Sequence, residues 1–309
     1  MESLDPIYAQ AIAEKYFGIQ ASAHELPSER DQNFLLTRND GEKFVLKIAN
    51  RNEKREVLEA QNAMLGHLAE RVSFCPRVVA GISGETIVIA TLIGCAKRLV
   101  RMVRYLEGVP LAKVEDQSAE LLYDLGRKLG QLSAALVGFD HPDAHRKFHW
   151  DLAQGVQVVE QWGPLIKTDW LRALVAKLRV GDLSKLRRSV VHGDANDYNV
   201  LVDGNEVVGL IDFGDIVYSY TVGDLAIALA YVVLGKDDPL AAAAPVIEGY
   251  REQFPLTKEE LAALWPLVRL RLCMSVAIAA YQQEQQPDNE YLGISQQLIA
   301  ETLPRLVSS

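Results

Sequence analysis

Residues 190–202 read VVHGDANDYNVLV, and residues 209–215 follow as GLIDFGD. Asp194 stands five residues before Asn199, between two hydrophobic runs that are typical of short buried strands. Asp212 comes thirteen residues after Asn199. A loop between short strands can hold Asp194 and Asn199 toward one side, and the strand of the next hairpin can bring Asp212 beside them. Because carboxylate and amide oxygens are ligands that Mg²⁺ prefers, this spacing predicts a carboxylate-rich magnesium site.

The order of these motifs is that of the protein kinases, which carry His-Arg-Asp, an Asn five residues after that Asp, and then Asp-Phe-Gly. Phosphoryl transfer needs one carboxylate facing the attacking hydroxyl and two oxygen ligands that hold Mg²⁺ against the nucleotide phosphates. Each tripeptide alone occurs in ordinary turns. The joint pattern, in this order and at this spacing, predicts a kinase-type site.

A kinase also needs a cation for the nucleotide phosphates, and Lys47 in the apolar stretch FVLKI at residues 44–48 fits that need. A lysine inside such a strand must reach solvent or find an anion. A carboxylate from the following helix should orient it, and Glu53, Glu56 and Glu59 are all candidates. We favour Glu59, with Glu56 second.

The distribution of apolar residues and turns predicts an α+β chain with a boundary near Glu107. Residues 1–107 should form a small antiparallel sheet with one main helix, and residues 108–309 a larger, mainly helical lobe. The predicted strands are 34–37, 44–48, 86–92, 99–106, 190–191, 200–202 and 207–211. The predicted helices are 4–16, 53–69, 118–136, 156–180 with a break at Gly163-Pro164, 224–234, 240–254, 258–282 and 291–307.

Composition excludes several classes of function. The net charge of −9 over 309 residues argues against general affinity for nucleic acids or anionic membranes. The three cysteines show no CxxC pair and no zinc-ligand spacing, so we expect reduced thiols. The N-terminal residues lack the apolar core of a signal peptide, and no uninterrupted apolar run has the roughly eighteen residues of a membrane span. A cytoplasmic protein is expected.

The chain resembles the aminoglycoside phosphotransferase and choline kinase group, a branch of the protein-kinase-like fold that has His-Gly-Asp where protein kinases have His-Arg-Asp. Within that group it is most similar to hydroxylysine kinase and to the phosphotransferase domains fused to class III aminotransferases. The stretches that carry the resemblance are 44–48 (FVLKI), 59–62 (EAQN), 103–108 (VRYLEG), 148–152 (FHWDL), 192–199 (HGDANDYN) and 209–215 (GLIDFGD).

The resemblance implies a two-lobed fold that binds ATP or GTP and transfers a phosphoryl group. Asp194 would be the catalytic base, and Asn199 and Asp212 would bind Mg²⁺. Lys47 would contact the α- and β-phosphates, and Glu59 would hold Lys47 in place.

Further positions follow from the same resemblance. The hinge at Arg104, Tyr105 and Leu106 would present backbone groups to the purine, and the loop from Ser28 to Phe34 would cover the nucleotide. That loop contains no glycine, unlike its counterpart in protein kinases. The residues around the motifs supply the remaining candidates. The candidate acceptor-binding residues are Trp150, Asp151, Asp197, Tyr198 and Asp215. His192 should support the catalytic loop, and Asp224 should be a helix N-terminal or loop-anchoring carboxylate.

The sequence does not determine which molecule accepts the phosphoryl group. An acidic site with aromatic side chains suits an amino alcohol with a cationic nitrogen. Hydroxylysine, homoserine, choline, ethanolamine and sugar hydroxyls all offer the same nucleophile. Inactivation of an aminoglycoside and a catalytically silent, nucleotide-binding role are the alternatives to a kinase acting on a small amine.

Overall fold

The computed structural model describes residues 4–28, 31–91, 97–285 and 296–308. The chain forms two compact units, Met1–Glu107 and Gly108–Ser309.

An antiparallel sheet organises the first unit. The strands have the order β1-β2-β3-β6-β4, and β5 also pairs with β6. Their bounds are β1 Ser22–Leu26, β2 Gln32–Thr37, β3 Lys43–Ile48, β4 Val78–Val79, β5 Val88–Ala90 and β6 Arg98–Arg104. The helices are α1 Pro6–Ile12, which continues into a π-helical turn at Ala13–Phe17, and α2 Arg55–Ala69.

Strand β3 shows why the sheet has two different faces. Phe44, Leu46 and Ile48 are buried in a core that also contains residues of α1. Because successive side chains of a strand point to opposite faces, Lys47 lies on the other face. There it stands opposite Arg101 of β6 in the register of the two strands. This second face carries the charged side chains, and α2 reaches it through Asn62, which binds Arg101.

The second unit contains two small antiparallel pairings among many helices. Strand β9 pairs with β10 and β7, and β8 pairs with β11. The strands are β7 Val109–Pro110, β8 Arg188–Val191, β9 Val200–Asp203, β10 Glu206–Leu210 and β11 Val217–Tyr220. The helices are α3 Ala119–Ala135, α4 Gly155–Trp162, α5 Asp169–Val175, α6 Gly223–Val232, α7 Pro239–Gln253, α8 Lys258–Gln285 and α9 Gln296–Ser308.

The strands place both sequence motifs in the second unit. The catalytic loop runs from β8 to β9, and the segment from Asp212 to Asp215 runs from β10 to β11. Val191 at the end of β8 lies opposite Val217 at the start of β11. The catalytic loop therefore begins beside the point where the segment from Asp212 to Asp215 ends.

Helix α8 is the central helix of this unit. By length and composition it is apolar enough to cross a membrane, but 72% of its most apolar stretch is buried inside the protein. Leu270, Leu272, Met274 and Ala277 are fully buried. It is thus packed as a core helix, and the charged Arg271 lies within this apolar surrounding.

Most predicted elements are confirmed within one to three residues, including the hairpin around Gly204. The predicted break at Gly163-Pro164 in the helix 156–180 is confirmed, since a 3₁₀ turn at Gly163–Leu165 separates α4 from α5, but α5 already ends at Val175. Strands β1, β4, β7 and β11 are absent from the predicted set. The end of the predicted strand 86–92, Cys95 and the first part of the predicted helix 291–307 lie outside the described residues.

Candidate active site

The Asp194 carboxylate is bound from three directions. Its Oδ1 accepts a hydrogen bond from Nη2 of Arg271 at 2.7 Å. Its Oδ2 accepts from the side-chain amides of Asn196 and Asn199, each at 2.9 Å. Asn199 also donates to the Asp194 backbone carbonyl at 2.9 Å. The predicted catalytic carboxylate and the predicted metal ligand Asn199 are therefore in direct contact.

Helix α6 anchors the backbone of the catalytic loop through Asp224. The Asp224 carboxylate accepts the backbone N–H groups of His192 at 3.0 Å and Gly193 at 2.8 Å. Asp224 is only 1% exposed, and burial raises the pKa of its carboxyl group. Of the two structural roles expected for Asp224, these are the contacts of a loop-anchoring carboxylate.

His192 holds the catalytic loop to the following segment through both ring nitrogens. Its Nε2 lies 3.0 Å from the Ile211 carbonyl oxygen, and its Nδ1 accepts the backbone N–H of Asp194 at 3.2 Å. Because Nδ1 accepts, Nε2 is the nitrogen that donates to the Ile211 carbonyl. The ring also packs edge-on against Phe213, with 4.6 Å between ring centroids. His192 acts as a support of the loop.

Gly193 packs directly against the second motif segment. Its φ of +82° lies in the left-handed region. A Cβ atom at this position would lie 2.4 Å from the backbone oxygen of Asp215. The His-Gly-Asp tripeptide therefore requires glycine for its backbone conformation and also for contact with the Asp-Phe-Gly segment.

Asp212 has the only positive φ of a non-glycine residue in the described part of the chain, at 61°. A left-handed conformation at a non-glycine residue is uncommon, and such strain clusters at functional sites. Arg146 fixes the segment that follows, donating to the Gly214 carbonyl at 2.8 Å and the Ile216 carbonyl at 3.1 Å. The protein thus holds Asp212 in a specific, exposed position.

Burial and charge act on Asp194 in opposite directions. Burial is the larger effect and raises the pKa of its carboxyl group, whereas the Arg271 guanidinium lowers it. Arg271 is 2% exposed and stacks on Trp150, with its guanidinium carbon 4.5 Å from the ring centroid. The Arg271 guanidinium is thus the cation that offsets the burial of the Asp194 carboxylate.

The predicted acceptor residues have different surroundings. Asp197 is mostly buried, and burial raises the pKa of its carboxyl group to about 6. Tyr198 is 46% exposed. Asp215 is buried, and its charge acts on both Asp194 and Arg271.

Asp151 has structural partners. It is 3% exposed, accepts the Ala153 N–H at 2.9 Å and accepts the hydroxyl of Ser219 in β11. These contacts fix the turn after Trp150 to the strand that follows the Asp-Phe-Gly segment. Asp151 therefore has a supporting role in the fold, and acceptor binding by Asp151 stays a prediction.

In the first unit, the polar face of the sheet carries a row of three side chains. Asn33, Lys47 and Arg101 stand opposite one another across β2, β3 and β6, and directly opposite residues share a face. Helix α2 adds Asn62, whose side-chain oxygen accepts from Arg101 at 3.2 Å. The row brings two cations to one face of the sheet.

The expected pair of Lys47 with Glu59 is not the arrangement that the described contacts show. Glu59 binds Arg55 at 2.8 Å, and its side chain is 48% exposed. The buried positions of α2 are Leu58, Ala60, Gln61, Asn62, Met64, Leu65 and Leu68. Their spacing of three and four residues defines one helix face, and Glu59 lies off that face. The amides at positions 61 and 62 therefore face the sheet where a glutamate was expected.

The predicted hinge residues follow β6. The backbone N–H of Arg104 donates to the Arg77 carbonyl at 2.8 Å, and that of Tyr105 donates to the Lys43 carbonyl at 3.1 Å. Leu106 is half-buried. Ser28 is exposed and directly precedes residues 29–30, which lie outside the described residues.

The donor set of the second unit fits a magnesium ion that is shared with a ligand. Both hydrogen bonds of the Asn199 side-chain nitrogen go to Asp194, so the side-chain oxygen is the atom suited to a cation. In the described part of the chain, no group of three or more His, Cys, Asp or Glu side chains could hold a metal ion. Asn199 and Asp212 would therefore supply two oxygen ligands, and phosphates or water the others.

Three residues of this arrangement were not predicted from the sequence. Asn196 and Arg271 bind the Asp194 carboxylate, and Arg146 binds the carbonyls after Asp212. The position of Arg271 inside an apolar helical run was the available signal, since a buried guanidinium requires an anionic partner.

Comparisons with known proteins identify the family of the chain. The profile described as the phosphotransferase enzyme family (APH) matches residues 22–267. Hydroxylysine kinase of Mus musculus is 33% identical over 93% of this chain and 85% of its own length. Homoserine kinase of Methylobacillus glycogenes is 28% identical over 76% of this chain and 71% of its own length. The amicoumacin kinase hAmiN, solved with AMP-PNP and Ca²⁺, has a TM-score of 0.72 at 17% identity, covering 98% of this chain and 94% of its own.

The structural likeness shows the two-lobed kinase-like fold, with an antiparallel sheet in the first lobe and mainly helices in the second. The profile match runs from β1 into α8, and the relatives at about 30% identity are kinases of small molecules. The chain therefore belongs to the phosphotransferase enzyme family and is a small-molecule kinase that phosphorylates a hydroxyl group.

Proposed function

We propose that this enzyme transfers the γ-phosphoryl group of ATP or GTP to the hydroxyl of a small amine or amino acid, as the resemblance to hydroxylysine kinase suggests. The observation that carries the proposal is the direct contact of Asp194 with Asn199 at 2.9 Å. It places a carboxylate that can take a proton beside an amide that can bind a metal ion.

The reaction forms a bond between the acceptor oxygen and the γ-phosphorus and breaks the bond from that phosphorus to the β–γ bridging oxygen. Asp194 accepts a hydrogen bond from the acceptor hydroxyl and takes its proton as the new bond forms. A base placed in this way typically contributes on the order of 10²–10⁴ in rate. The nucleoside diphosphate is the leaving group.

Asn199 and Asp212 would hold Mg²⁺, which when bound offsets the negative charge of the phosphates. The chain's own contribution is to hold these two ligands. Asn199 is oriented by its two bonds to Asp194. Asp212 is held by the backbone bonds of Arg146 to the segment that follows it.

For the nucleotide, we assign the polar row of the first unit to the phosphates. Two like charges directly opposite each other in a sheet are normally destabilising. Lys47 and Arg101 would both be stabilised by a polyphosphate. At the hinge, the Leu106 N–H would donate to the purine, because Arg104 and Tyr105 use theirs within the unit.

The acceptor class is inferred from the relatives. The names hydroxylysine kinase and homoserine kinase describe enzymes that act on hydroxyl-bearing amino acids. We therefore favour an amino acid over choline, ethanolamine or an aminoglycoside.

The test is a panel of these acceptors with ATP and with GTP, scored by the mass of the phosphorylated product. We expect Asp194→Asn to lower turnover by at least 10²-fold while nucleotide binding, measured by calorimetry, stays within about threefold. Asp203→Asn is the matched control, since Asp203 is exposed at the end of β9. Product formation by Asp194→Asn at the rate of Asp203→Asn would refute the role of Asp194. Nucleotide binding without product from any acceptor would indicate the silent alternative.

A further inference from the structure

Arg271 is the charged donor to the Asp194 carboxylate, and its guanidinium has unused hydrogen-bonding capacity. A guanidinium carries five N–H donors. One makes the short bond to Asp194 at 2.7 Å, and two longer contacts of 3.5 Å reach the Trp150 carbonyl and the Tyr231 hydroxyl. Its Nε has no partner among the described residues, although Arg271 is 2% exposed. A buried cation with spare donors is suited to a second anion.

An acidic group with spare capacity lies close by. The Oδ1 atom of Asp197 is buried and has no hydrogen-bond partner in the described part of the chain. Asp197 is near enough to Asp194 for the two charges to interact, and both act on the hydroxyl of Tyr231. Arg271 acts on the same hydroxyl. The spare donor thus belongs to a side chain that binds the Asp194 carboxylate, and the spare acceptor to one whose charge interacts with it.

We propose that the acceptor is a zwitterionic α-amino acid, whose carboxylate binds Arg271 and whose ammonium group binds Asp197, so that its side-chain hydroxyl reaches Asp194. This inference rests on the proposed kinase function and specifies its substrate class. Arginine suits the carboxylate because its planar donors match the two carboxylate oxygens. The acceptor reaches the guanidinium from the side of Asp194, whose side chain is 20% exposed against 3% for Arg271.

A purely structural role for Arg271 makes a different prediction. If Arg271 only neutralises Asp194, its loss lowers the turnover of every acceptor by the same factor. If it binds the substrate carboxylate, its loss affects only acceptors that carry one. The ratio of two matched acceptors therefore separates the roles, because any common effect on Asp194 cancels.

The first experiment compares L-homoserine with L-homoserinamide, and 5-hydroxylysine with its amide, using ATP and Mg²⁺. For the wild-type enzyme we expect kcat/KM to favour the acid over the amide by about 10²-fold, since truncating one partner of a buried charge pair has effects of this size or larger. In Arg271→Met the ratio should fall to within about threefold of one. In Arg271→Lys it should be partly restored.

Arg269→Met is the matched control, because Arg269 lies on the same helix and donates to the Leu306 carbonyl at 3.3 Å. It should keep the wild-type ratio. A wild-type ratio near one would overturn the inference without any variant. An Arg271→Met enzyme that loses activity on acid and amide by the same factor would overturn it as well.

The second experiment tests the ammonium group with 4-hydroxybutyrate, which is homoserine without its amine. The wild-type enzyme should prefer homoserine by at least tenfold, and Asp197→Asn should lose this preference. An unchanged preference in Asp197→Asn would overturn the assignment of Asp197. Absence of product from every acceptor with either nucleotide would overturn the proposed function and this inference together. Product without a carboxylate preference would overturn the inference alone.

Discussion

Gly193→Ala is the most direct test of how the two motif segments fit together. The new Cβ would lie 2.4 Å from the Asp215 backbone oxygen, whereas ordinary contacts begin near 3.4 Å. The difference, 3.4 minus 2.4, requires the segments to separate by about 1 Å. A left-handed alanine adds roughly 1–2 kcal/mol of backbone strain.

The expected functional loss follows from that separation. Asp194 directly follows Gly193, and a displacement of about 1 Å at a reacting group costs on the order of 10² in rate. We expect kcat to fall by about 10²-fold and the free energy of unfolding to fall by about 2–4 kcal/mol, combining the strain with a displaced contact. The measurements are steady-state phosphorylation of the best acceptor and urea unfolding.

Gly204→Ala provides the matched control. Gly204 also has a positive φ, 58°, but a Cβ there would meet nothing within 4 Å. It shares the backbone strain of Gly193→Ala and lacks the clash, so we expect about 1–2 kcal/mol lower stability and nearly unchanged kcat. Equal kcat values for the two variants would show that close packing of Gly193 on Asp215 is unimportant and would refute the reasoning.

Three further predictions concern the supports of the site and the cysteines. Asp224→Asn replaces one of two acceptor oxygens that bind the His192 and Gly193 N–H groups. We expect the free energy of unfolding, measured in urea, to fall by about 2–3 kcal/mol and kcat to fall with it. The control is Asp182→Asn, since Asp182 accepts the Ser184 N–H in an exposed turn, and its stability should stay near wild type. Arg146→Met removes two donors to the carbonyls after Asp212, so the Mg²⁺ concentration for half-maximal rate should rise about tenfold. Arg172→Met on α5 is the control, and an unchanged magnesium titration for Arg146→Met would count against the supporting role of Arg146. Burial raises the pKa values of Cys75 and Cys273 to about 12, so at pH 8 only about 10⁻⁴ of either thiol is ionised. Mass spectrometry should therefore find both thiols unmodified by iodoacetamide until urea unfolds the protein. Labelling of the folded protein at the unfolded rate would contradict this expectation.

The parts of the fold that follow from local sequence were the predictable ones. The hairpin of β9 and β10 has its turn at Gly204, and the apolar periodicity of α3 marks its length. Strands β1 and β11 were missed because their side chains alternate without a strongly apolar face, as in Ser22–Leu26. Their pairing depends on partners elsewhere in the chain, and β8 finds β11 only across the whole intervening hairpin.

The error at Glu59 has a specific physical origin. A glutamate is the expected partner of a lysine, so charge alone favoured it. The orientation of α2 is set by burial of Leu58 and Leu65, and this orientation turns Gln61 and Asn62 toward the sheet. The rotation of α2 about its own axis, which packing determines, places Gln61 and Asn62 on the same side of the sheet as Lys47.

The residues that perform the transfer and the residue that we propose selects the acceptor are encoded differently. Asp194 and Asn199 lie five residues apart, so their contact is available to sequence reasoning. Arg271 lies 77 residues from Asp194 along the chain, on another helix. Its place in an apolar run predicts an anionic partner, but the fold is needed to show which one.

The charge balance around Asp194 explains why this distant residue matters. Asp197, Asp215 and Asp224 are carboxylates in the same region. Such a surrounding attracts cations, including Mg²⁺ and an acceptor's ammonium group, and repels an acceptor carboxylate. An amino alcohol could bind there without help. An amino acid could not, unless a buried cation met its carboxylate, and Arg271 is the side chain in position to do so. On this reasoning, the guanidinium that neutralises the catalytic carboxylate also makes an acidic site acceptable to an acidic substrate.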